Sequence, residues 1–306
     1  RADRERVRCR HGDRPGERSS GVDSAAGRVA GSDVGPFPLT GTVPVRRPHL
    51  FVDVSAHGFG HLAQVAPVLQ LLSVRLPALR LTIRSGLPRA RLAARLPGDF
   101  VHIAQSSDIG YAMHDAVTVD LAATALAYRG QHADWEAHVE RDARLLADLQ
   151  PDLVFSDVSC RPLAAAAQVG IPSLAMCSLN WADLFAHFYA GERWAAPIHR
   201  QMLAAYNHAE SFFCLTPGMP MPDLVRRHRV GPIAEMGRDC RHEVRERLRC
   251  LDDERLVLVA FGGVNKELPL ADWPCLPGVR WLVPQSWRVA SPGVSAFEPL
   301  GRALPD

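Results

Sequence analysis

The chain has 306 residues, 47% of them hydrophobic, which is enough to build one large or two ordinary globular domains. Its formal net charge of +2 excludes a general electrostatic attraction to nucleic acid or to an anionic membrane. The seven cysteines are scattered and never form C-x-x-C, so we expect reduced thiols and a cytoplasmic protein. Residues 162–182 lack charge, but Gly170 and Pro172 interrupt them, which argues against a transmembrane span.

Residues 1–48 have a composition typical of a disordered, low-complexity segment. They contain ten Arg and six acidic residues among many Gly, Ser and Pro, with almost no apolar periodicity. A basic arm for nucleic acid is the alternative, but the arginines alternate with Asp and Glu. The segment has no apolar stretch of the kind found in secretory signals.

The most informative stretch is a strand pattern that runs into a glycine turn and then a helix pattern. Residues 50–54 are apolar, as expected for a buried parallel strand, and Gly58 and Gly60 then interrupt the pattern. Helical spacing of apolar residues follows, and a helix N-terminus after a glycine turn favours anions or polar ligands. His57 and His61 flank this turn, at the end of the strand where open α/β sheets bind ligands.

Strand and helix patterns then alternate, which predicts a doubly wound parallel sheet with helices on both faces in residues 49–236. The polar, irregular residues 105–120 are typical of a binding loop. We expect the first strand to be central, further strands at 79–84, 100–104, 152–156, 171–177 and 211–215, and helices at 88–96, 135–150, 161–169, 181–188 and 194–207.

Residues 237–306 begin with a charged stretch, 237–249, that we interpret as a linker helix to a second domain. That domain opens with a buried strand at 256–261, followed by Gly262 and Gly263. The residues after the linker are too few for a doubly wound domain, so we expect a truncated second Rossmann-like domain.

Together these motifs resemble a known family. The order strand, His-Gly-Phe-Gly-His at 57–61, helix resembles the N-terminal domain of GT-B glycosyltransferases, particularly the family-28 and MurG-like group. It is also similar to the N-terminal domain of plant-type arabinokinases. The stretches at 151–157, 170–173 and 261–263 resemble these proteins as well, and the resemblance covers residues 49–290. It implies two Rossmann-like domains facing each other across a cleft, the first holding the acceptor and the second the nucleotide sugar.

The resemblance also implies roles for two residues. His61 occupies the position of the catalytic base, and Asp157 matches an aspartate that orients this histidine. The chemistry agrees, because an attacking hydroxyl must lose its proton and a carboxylate behind the imidazole would stabilise the imidazolium. The alternatives are a helix-capping histidine and an N-cap aspartate. His57 with His61 would also begin a metal site, but no third ligand has suitable spacing, so we predict no metal.

The remaining site residues are predicted less directly. Gly262 and Gly263 are candidates to bind the donor diphosphate through backbone N–H groups, with a tight turn after the strand as the alternative. Sugars prefer aromatic faces and paired hydrogen-bond groups. The candidate acceptor contacts are Asp108, Asp115, Asn180 and Trp181, although a tryptophan is also a common core residue.

From the resemblance we expect a metal-independent, inverting, hexosyl-type glycosyltransferase that needs no cofactor. Its partners would be a nucleotide-sugar donor, as co-substrate, and a small-molecule or glycan acceptor, with no nucleic acid. An incomplete donor domain would leave this chain an inactive fragment. The alternative is a non-catalytic GT-B-like module, sugar-sensing or vestigial, like a domain fused to a sugar kinase.

Overall fold

The computed structural model describes residues 47–96, 98–261, 266, 268–287 and 292–297. The predicted disordered segment, except for its last two residues, lies outside this part, as do Gly262 and Gly263. The strands are β1 (His49–Val54), β2 (Arg80–Arg84), β3 (Val101–Ile103), β4 (Met113–Asp115), β5 (Thr118–Val119), β6 (Leu153–Asp157), β7 (Ser173–Cys177), β8 (Ser211–Leu215), β9 (Arg227–Val230), β10 (Arg255–Leu258), β11 (Val279–Pro284) and β12 (Val294–Phe297). The helices are α1 (Gly60–Arg75), α2 (Arg89–Arg95), α3 (Leu121–Ala133), α4 (Trp135–Leu149), α5 (Arg161–Gln168), α6 (Trp181–Tyr189), α7 (Ala195–Tyr206) and α8 (Arg241–Arg247).

Seven parallel strands form the main sheet, in the order β3-β2-β1-β6-β7-β8-β9. The chain moves outward from β1 to β3 and then returns to the other side of β1 with β6. This reversal of strand order is the mark of a doubly wound sheet, so the predicted α/β fold is confirmed. The predicted central place of the first strand is also confirmed, because β2 and β6 flank β1 and all its residues are buried.

Both faces of β1 are covered by helices, which explains why the strand is an almost unbroken apolar run. Phe51 points into a core shared with α4, α5, α6 and α7. Leu50, Val52 and Val54 point into a second core on the opposite face, shared with α1 and α2. The alternation follows from the two-residue repeat of a strand. It fixes α1 against the sheet through its apolar stripe of Leu62, Val65, Ala66 and Leu69.

Four elements in this part of the chain were not anticipated: β4, β5, α3 and β9. The predicted irregular loop at 105–120 contains the short antiparallel pair β4–β5. Helix α3 follows it, with only Thr124 and Tyr128 buried, so its apolar pattern is weak. Strand β9 has the charged sequence Arg-His-Arg-Val and is mostly exposed at the sheet edge, which hides it from a search for buried strands.

Beyond residue 236 the described residues contain α8 and a separate parallel sheet in the order β10-β11-β12. Helix α8 lies within the predicted linker helix and is shorter than expected. A division between an acceptor domain and a second domain near residue 236 stays a prediction. None of the helices in the described ranges is long and apolar enough to cross a membrane.

A buried ion-pair network ties the sheet to the helices that cover one face. The side chain of Arg84, at the end of β2, is 2% exposed, and its Nε lies 2.5 Å from Oδ2 of Asp53 on β1. Its Nη1 lies 2.8 Å from Oδ1 of Asp142 on α4, and Arg161 on α5 approaches the other oxygen of Asp142. Ser107 also donates to Asp53. Burial raises the pKa of Asp53, and Arg84 and Ser107 oppose that shift, so these partners compensate only part of the cost of burying the charge.

Replacing Arg84 should therefore destabilise the fold strongly. The Arg84→Met variant keeps the apolar stem but leaves Asp53 and Asp142 without this cation, which we expect to cost about 3–5 kcal/mol of unfolding free energy. The exposed Arg75→Met, at the end of α1, should change it by less than about 1 kcal/mol. Urea unfolding of both variants measures the difference, and equal midpoints would contradict the assigned role of the network.

Candidate functional site

The candidate site lies where the strand order of the main sheet reverses, at the carboxyl ends of β1 and β6. Val54 and Asp157 are register partners at these ends. Open α/β sheets bind ligands in the crevice beside such a reversal. Gly58 has a φ of 84°, a backbone conformation that residues with a side chain rarely adopt. The chain turns at this glycine, and α1 begins two residues later at Gly60. No described atom outside the local chain lies within 4 Å of a Cβ built on Gly60, so the start of α1 is open on that side.

His61 and Asp157 meet directly, although 96 positions separate them in the chain. Nδ1 of His61 lies 3.3 Å from Oδ1 of Asp157 with hydrogen-bond geometry, and 3.1 Å from Oδ2. His61 is 7% exposed and Asp157 is fully buried. Burial opposes the charged imidazole, but the charge of Asp157 and its hydrogen bond outweigh that effect. The pKa of His61 therefore lies well above its usual value.

The backbone immediately after Asp157 is strained. Val158 has a φ of 64°, a conformation that β-branched residues rarely adopt, and it is completely buried. The hydroxyl of Tyr206 donates to the carbonyl oxygen of Val158 and accepts a 3.0 Å hydrogen bond from the backbone N–H of Trp181. Tyr206 thus holds the strained turn after β6 against the first residue of α6. Such strain is often found at functional sites, where it fixes a side chain.

Cys177 also lies beside His61 and Asp157, although the sequence analysis did not single it out as a site residue. It ends β7, the strand next to β6, and its Sγ lies 3.8 Å from Nδ1 of His61. The thiol also donates toward Oε1 of Gln64 on α1, at 3.6 Å. Burial raises the pKa of this thiol. The strand-end rule that pointed to Asp157 applies equally to Cys177 and could have found it.

The aromatic ring of Trp181 packs against His61 and links it to a group of aromatic side chains. The ring of Trp181, 3% exposed, lies 5.8 Å from the ring of His61 and 5.4 Å from that of His57. The indole Nε1 donates to Oδ2 of Asp108 at 2.8 Å, and the ring of Tyr111 packs beside the indole. The pKa of His57 is lowered by burial and then by the nearby His61. The fold therefore packs the predicted site residue Trp181 against His61, and two further predicted site residues, His57 and Asp108, contact Trp181.

Two other candidate acceptor residues have local partners. Asn180 is the N-cap of α6, where Oδ1 accepts from the backbone N–H of Asp183; its buried Nδ2 has no hydrogen-bond partner among the described residues. Asp115 lies in β4, and Nζ of Lys266 is 2.8 Å from its Oδ2. Hydrogen bonds from Lys266 and from the Val117 N–H lower the pKa of Asp115 to about 2. The acceptor roles of both residues stay predictions.

The loop that carries Asp108 depends on the close approach of Gly110 to His57. Gly110 has a φ of 54°, and a Cβ built on it would lie 2.7 Å from Cγ and Nδ1 of His57. Gly110→Ala should therefore lower the unfolding free energy by more than about 1 kcal/mol. The matched control is Gly130→Ala in the exposed part of α3, where no such contact exists and where we expect a gain of up to about 1 kcal/mol. Opposite shifts of the urea midpoints are the expected result; the same shift in both variants would show that this approach is not required.

Comparison with known proteins identifies the fold to which this chain is similar. No family model matches the chain. The L-arabinokinase of Arabidopsis thaliana is 28% identical over 235 residues, which are 73% of this chain and only 22% of the arabinokinase. The glycosyltransferase of kitacinnamycin is similar over 82% of this chain and 71% of its own, with a TM-score of 0.53 and 17% identity. The calicheamicin glycosyltransferase CalG4 matches 82% of this chain and 70% of its own, with a TM-score of 0.50 and 15% identity. The predicted resemblance is confirmed at the level of fold: the described part of the chain has the fold of the GT-B glycosyltransferases.

Proposed function

We propose that this chain is a glycosyltransferase that moves a sugar from a nucleotide-sugar donor to a hydroxyl group of a small-molecule or glycan acceptor. In this proposal His61 is the general base and Asp157 is the residue that orients it. The observation that carries the proposal is the buried contact between His61 Nδ1 and Asp157, located where strand order reverses in a GT-B fold. A hexosyl donor, a metal-independent reaction and inversion at the anomeric carbon belong to the proposal as well.

The contact assigns separate tasks to the two ring nitrogens of His61. Nδ1 is engaged with Asp157, so Nε2 is the nitrogen left to accept a proton from the acceptor hydroxyl. As the proton moves to Nε2, the acceptor oxygen bonds to the anomeric carbon, the carbon–phosphate oxygen bond breaks, and a nucleoside diphosphate leaves. Asp157 stabilises the imidazolium that this transfer creates.

The surroundings of His61 support an acceptor site on this domain. Asp108 is half-buried and uses one carboxylate oxygen to hold Trp181, which leaves the other for a substrate hydroxyl. Trp181 is almost completely buried, so we assign it the task of bracing His61 and His57 rather than broad stacking against a sugar. Residues 49–236 are then the acceptor domain, and residues 237–306 contribute to the donor side through Gly262 and Gly263.

A catalytic role explains features that a purely structural module does not require. Burying His61 and Asp157 together has a desolvation cost, and the turn after Asp157 adds backbone strain. The pKa of His61 is strongly shifted by burial and by one specific charge partner, Asp157. A group with such a shift beside a strand-order reversal is more often a reactive residue than a structural one. The similarity to part of an arabinokinase keeps a non-catalytic sugar-binding module as the second candidate.

The first test is substitution of the base. The 306-residue chain is screened with a panel of nucleotide sugars and hydroxyl acceptors, with acceptor-dependent release of nucleoside diphosphate as the readout. His61→Ala should lower kcat by about 10²- to 10⁴-fold, the usual contribution of a general base, with little change in donor binding. The exposed His208→Ala is the matched control and should keep wild-type turnover.

The outcomes separate the two candidate functions. Equal turnover in His61→Ala and wild type, with both proteins folded, would remove the catalytic assignment. Binding of sugars to the wild type without release of any nucleoside diphosphate across the panel would instead favour the non-catalytic module.

Asp157→Asn tests the orienting residue. The amide can still hold the ring but cannot stabilise its cation, so the pKa of His61 should fall and kcat should drop with the fold intact. The base works only when neutral, so in the wild type kcat/KM should rise with pH through a pKa above the usual histidine value. In Asp157→Asn this limb should move to lower pH and reach a lower plateau. The pH profile, recorded in the presence of a chelator, measures both effects, and an unmoved limb would exclude this role for Asp157.

A further inference from the structure

His61, Asp157 and Cys177 bring three different metal-binding groups together at the carboxyl edge of the main sheet. One nitrogen, one sulfur and one carboxylate oxygen from these residues all lie within 4.8 Å of one another, and all three residues are buried. They come from the start of α1 and from the ends of β6 and β7, so rigid elements position each of them. Sequence spacing hides the group, because its members are brought together by neighbouring strands of the sheet.

The separations fit a small tetrahedral ion. Zinc binds nitrogen at about 2.0–2.1 Å and thiolate sulfur at about 2.3 Å, so two ligand atoms of a tetrahedral site lie roughly 3.3–3.6 Å apart. Nδ1 of His61 lies 3.1 and 3.3 Å from the two oxygens of Asp157, and 3.8 Å from Sγ of Cys177. The third pair, the Cys177 sulfur and an Asp157 oxygen, lies within 4.8 Å.

A second, independent observation concerns Asp157. Its Oδ2 is buried and, among the residues that the structure describes, has no hydrogen-bond partner. Its 3.1 Å approach to Nδ1 of His61 lacks hydrogen-bond geometry. A buried carboxylate oxygen without a hydrogen bond destabilises the fold, because its lost hydration is not replaced. A cation bound to this oxygen would remove that free-energy cost.

The ligand set selects the kind of ion. Magnesium and calcium prefer oxygen ligands, whereas a thiolate with an imidazole and a carboxylate is typical of zinc. We propose that His61 Nδ1, Cys177 Sγ and Asp157 form a binding site for a zinc ion. On binding, the Cys177 thiol gives up its proton to solvent, the Nδ1 of His61 gives up any proton it carries, and the three ligand bonds form. Three protein ligands leave the fourth position of the ion for water.

An ion at this place would switch the site off. The ion binds Nδ1, the atom that otherwise hydrogen-bonds to Asp157. An imidazole already bound to a zinc cation accepts a proton on Nε2 less readily, so His61 loses its function as a base. The site is therefore inhibitory and compatible with a transfer reaction that itself uses no metal. This consequence rests on the proposed transferase function, whereas the binding of zinc does not.

Cobalt is the probe for the test, because a cysteine thiolate bound to Co²⁺ gives a charge-transfer band in the near ultraviolet. The 306-residue chain is freed of metal with a chelator, dialysed and titrated with Co²⁺, and then with Zn²⁺. We expect the band to saturate at a single equivalent of Co²⁺ and to disappear on addition of Zn²⁺. Cys177→Ser and Cys177→Ala should both lose it, which separates ligand loss from the effect of burying a hydroxyl.

The chain supplies its own controls. Cys160→Ser removes a different buried cysteine and should keep the band. The partly exposed cysteines, Cys240, Cys250 and Cys275, remain in every variant and report binding at unrelated thiols. A band that persists unchanged in both Cys177 variants, or no saturable band in the folded wild type, would overturn the proposal. Near-ultraviolet circular dichroism establishes that each variant is folded.

Activity measurements then distinguish this proposal from the proposed function. If turnover depends on His61, and one equivalent of Zn²⁺ abolishes it in wild type and in Cys160→Ser but not in Cys177→Ala, both proposals are supported. Cobalt binding through Cys177 in a protein without any transfer activity would support the metal site and contradict the transferase. Turnover that depends on His61, without a thiolate–cobalt band, would support the transferase and overturn the metal site.

Discussion

Strands β1 and β6 lie side by side in parallel, and the loops that follow them leave the sheet in different directions. Glycine at position 58 turns the first loop into α1, while the strained Val158 turns the second away from Asp157. Because Val54 and Asp157 are register neighbours at these strand ends, the short turn after β1 brings His61 to Asp157 although the two residues are far apart in sequence. The rest of the site is built on this pairing.

The pairing is supported from both faces of the sheet by different kinds of interaction. On the side of α1 the support is apolar, from a stripe of leucine, valine and alanine packed against β1 and β2. On the other side, the buried Arg84 joins β1, β2 and α4 through Asp53 and Asp142. Buried ion pairs contribute little net stability but fix geometry, since any displaced member leaves a bare charge. The positions of the strand ends are thus determined by charge as well as by packing.

The sequence was sufficient to predict the part of the site that follows from strand order, and not the part that depends on tertiary contacts. The apolar run of β1, its glycine turn and the strand ending at Asp157 are local patterns, and the strand-end rule joins them. Cys177 ends the next strand, so the same rule could have found it, whereas the hydrogen bond between Trp181 and Asp108 arises from helix and loop placement that no spacing encodes. Asp115 illustrates the same limit: it is polar and lies in the predicted loop, yet Lys266 binds it.

The atom Nδ1 of His61 has competing uses in this arrangement. Burial by itself disfavours a positive charge on this ring, but the charge of Asp157 and its hydrogen bond together outweigh burial and raise the pKa of His61. A proton on Nδ1 bonds to Oδ1 of Asp157 and keeps Nε2 free for a substrate hydroxyl. A soft divalent ion binds Asp157 too, but it also engages the sulfur of Cys177. Proton and metal are therefore mutually exclusive occupants of one position, and Cys177, which a histidine–aspartate pair does not need in order to act as a base, is the residue that lets the metal compete.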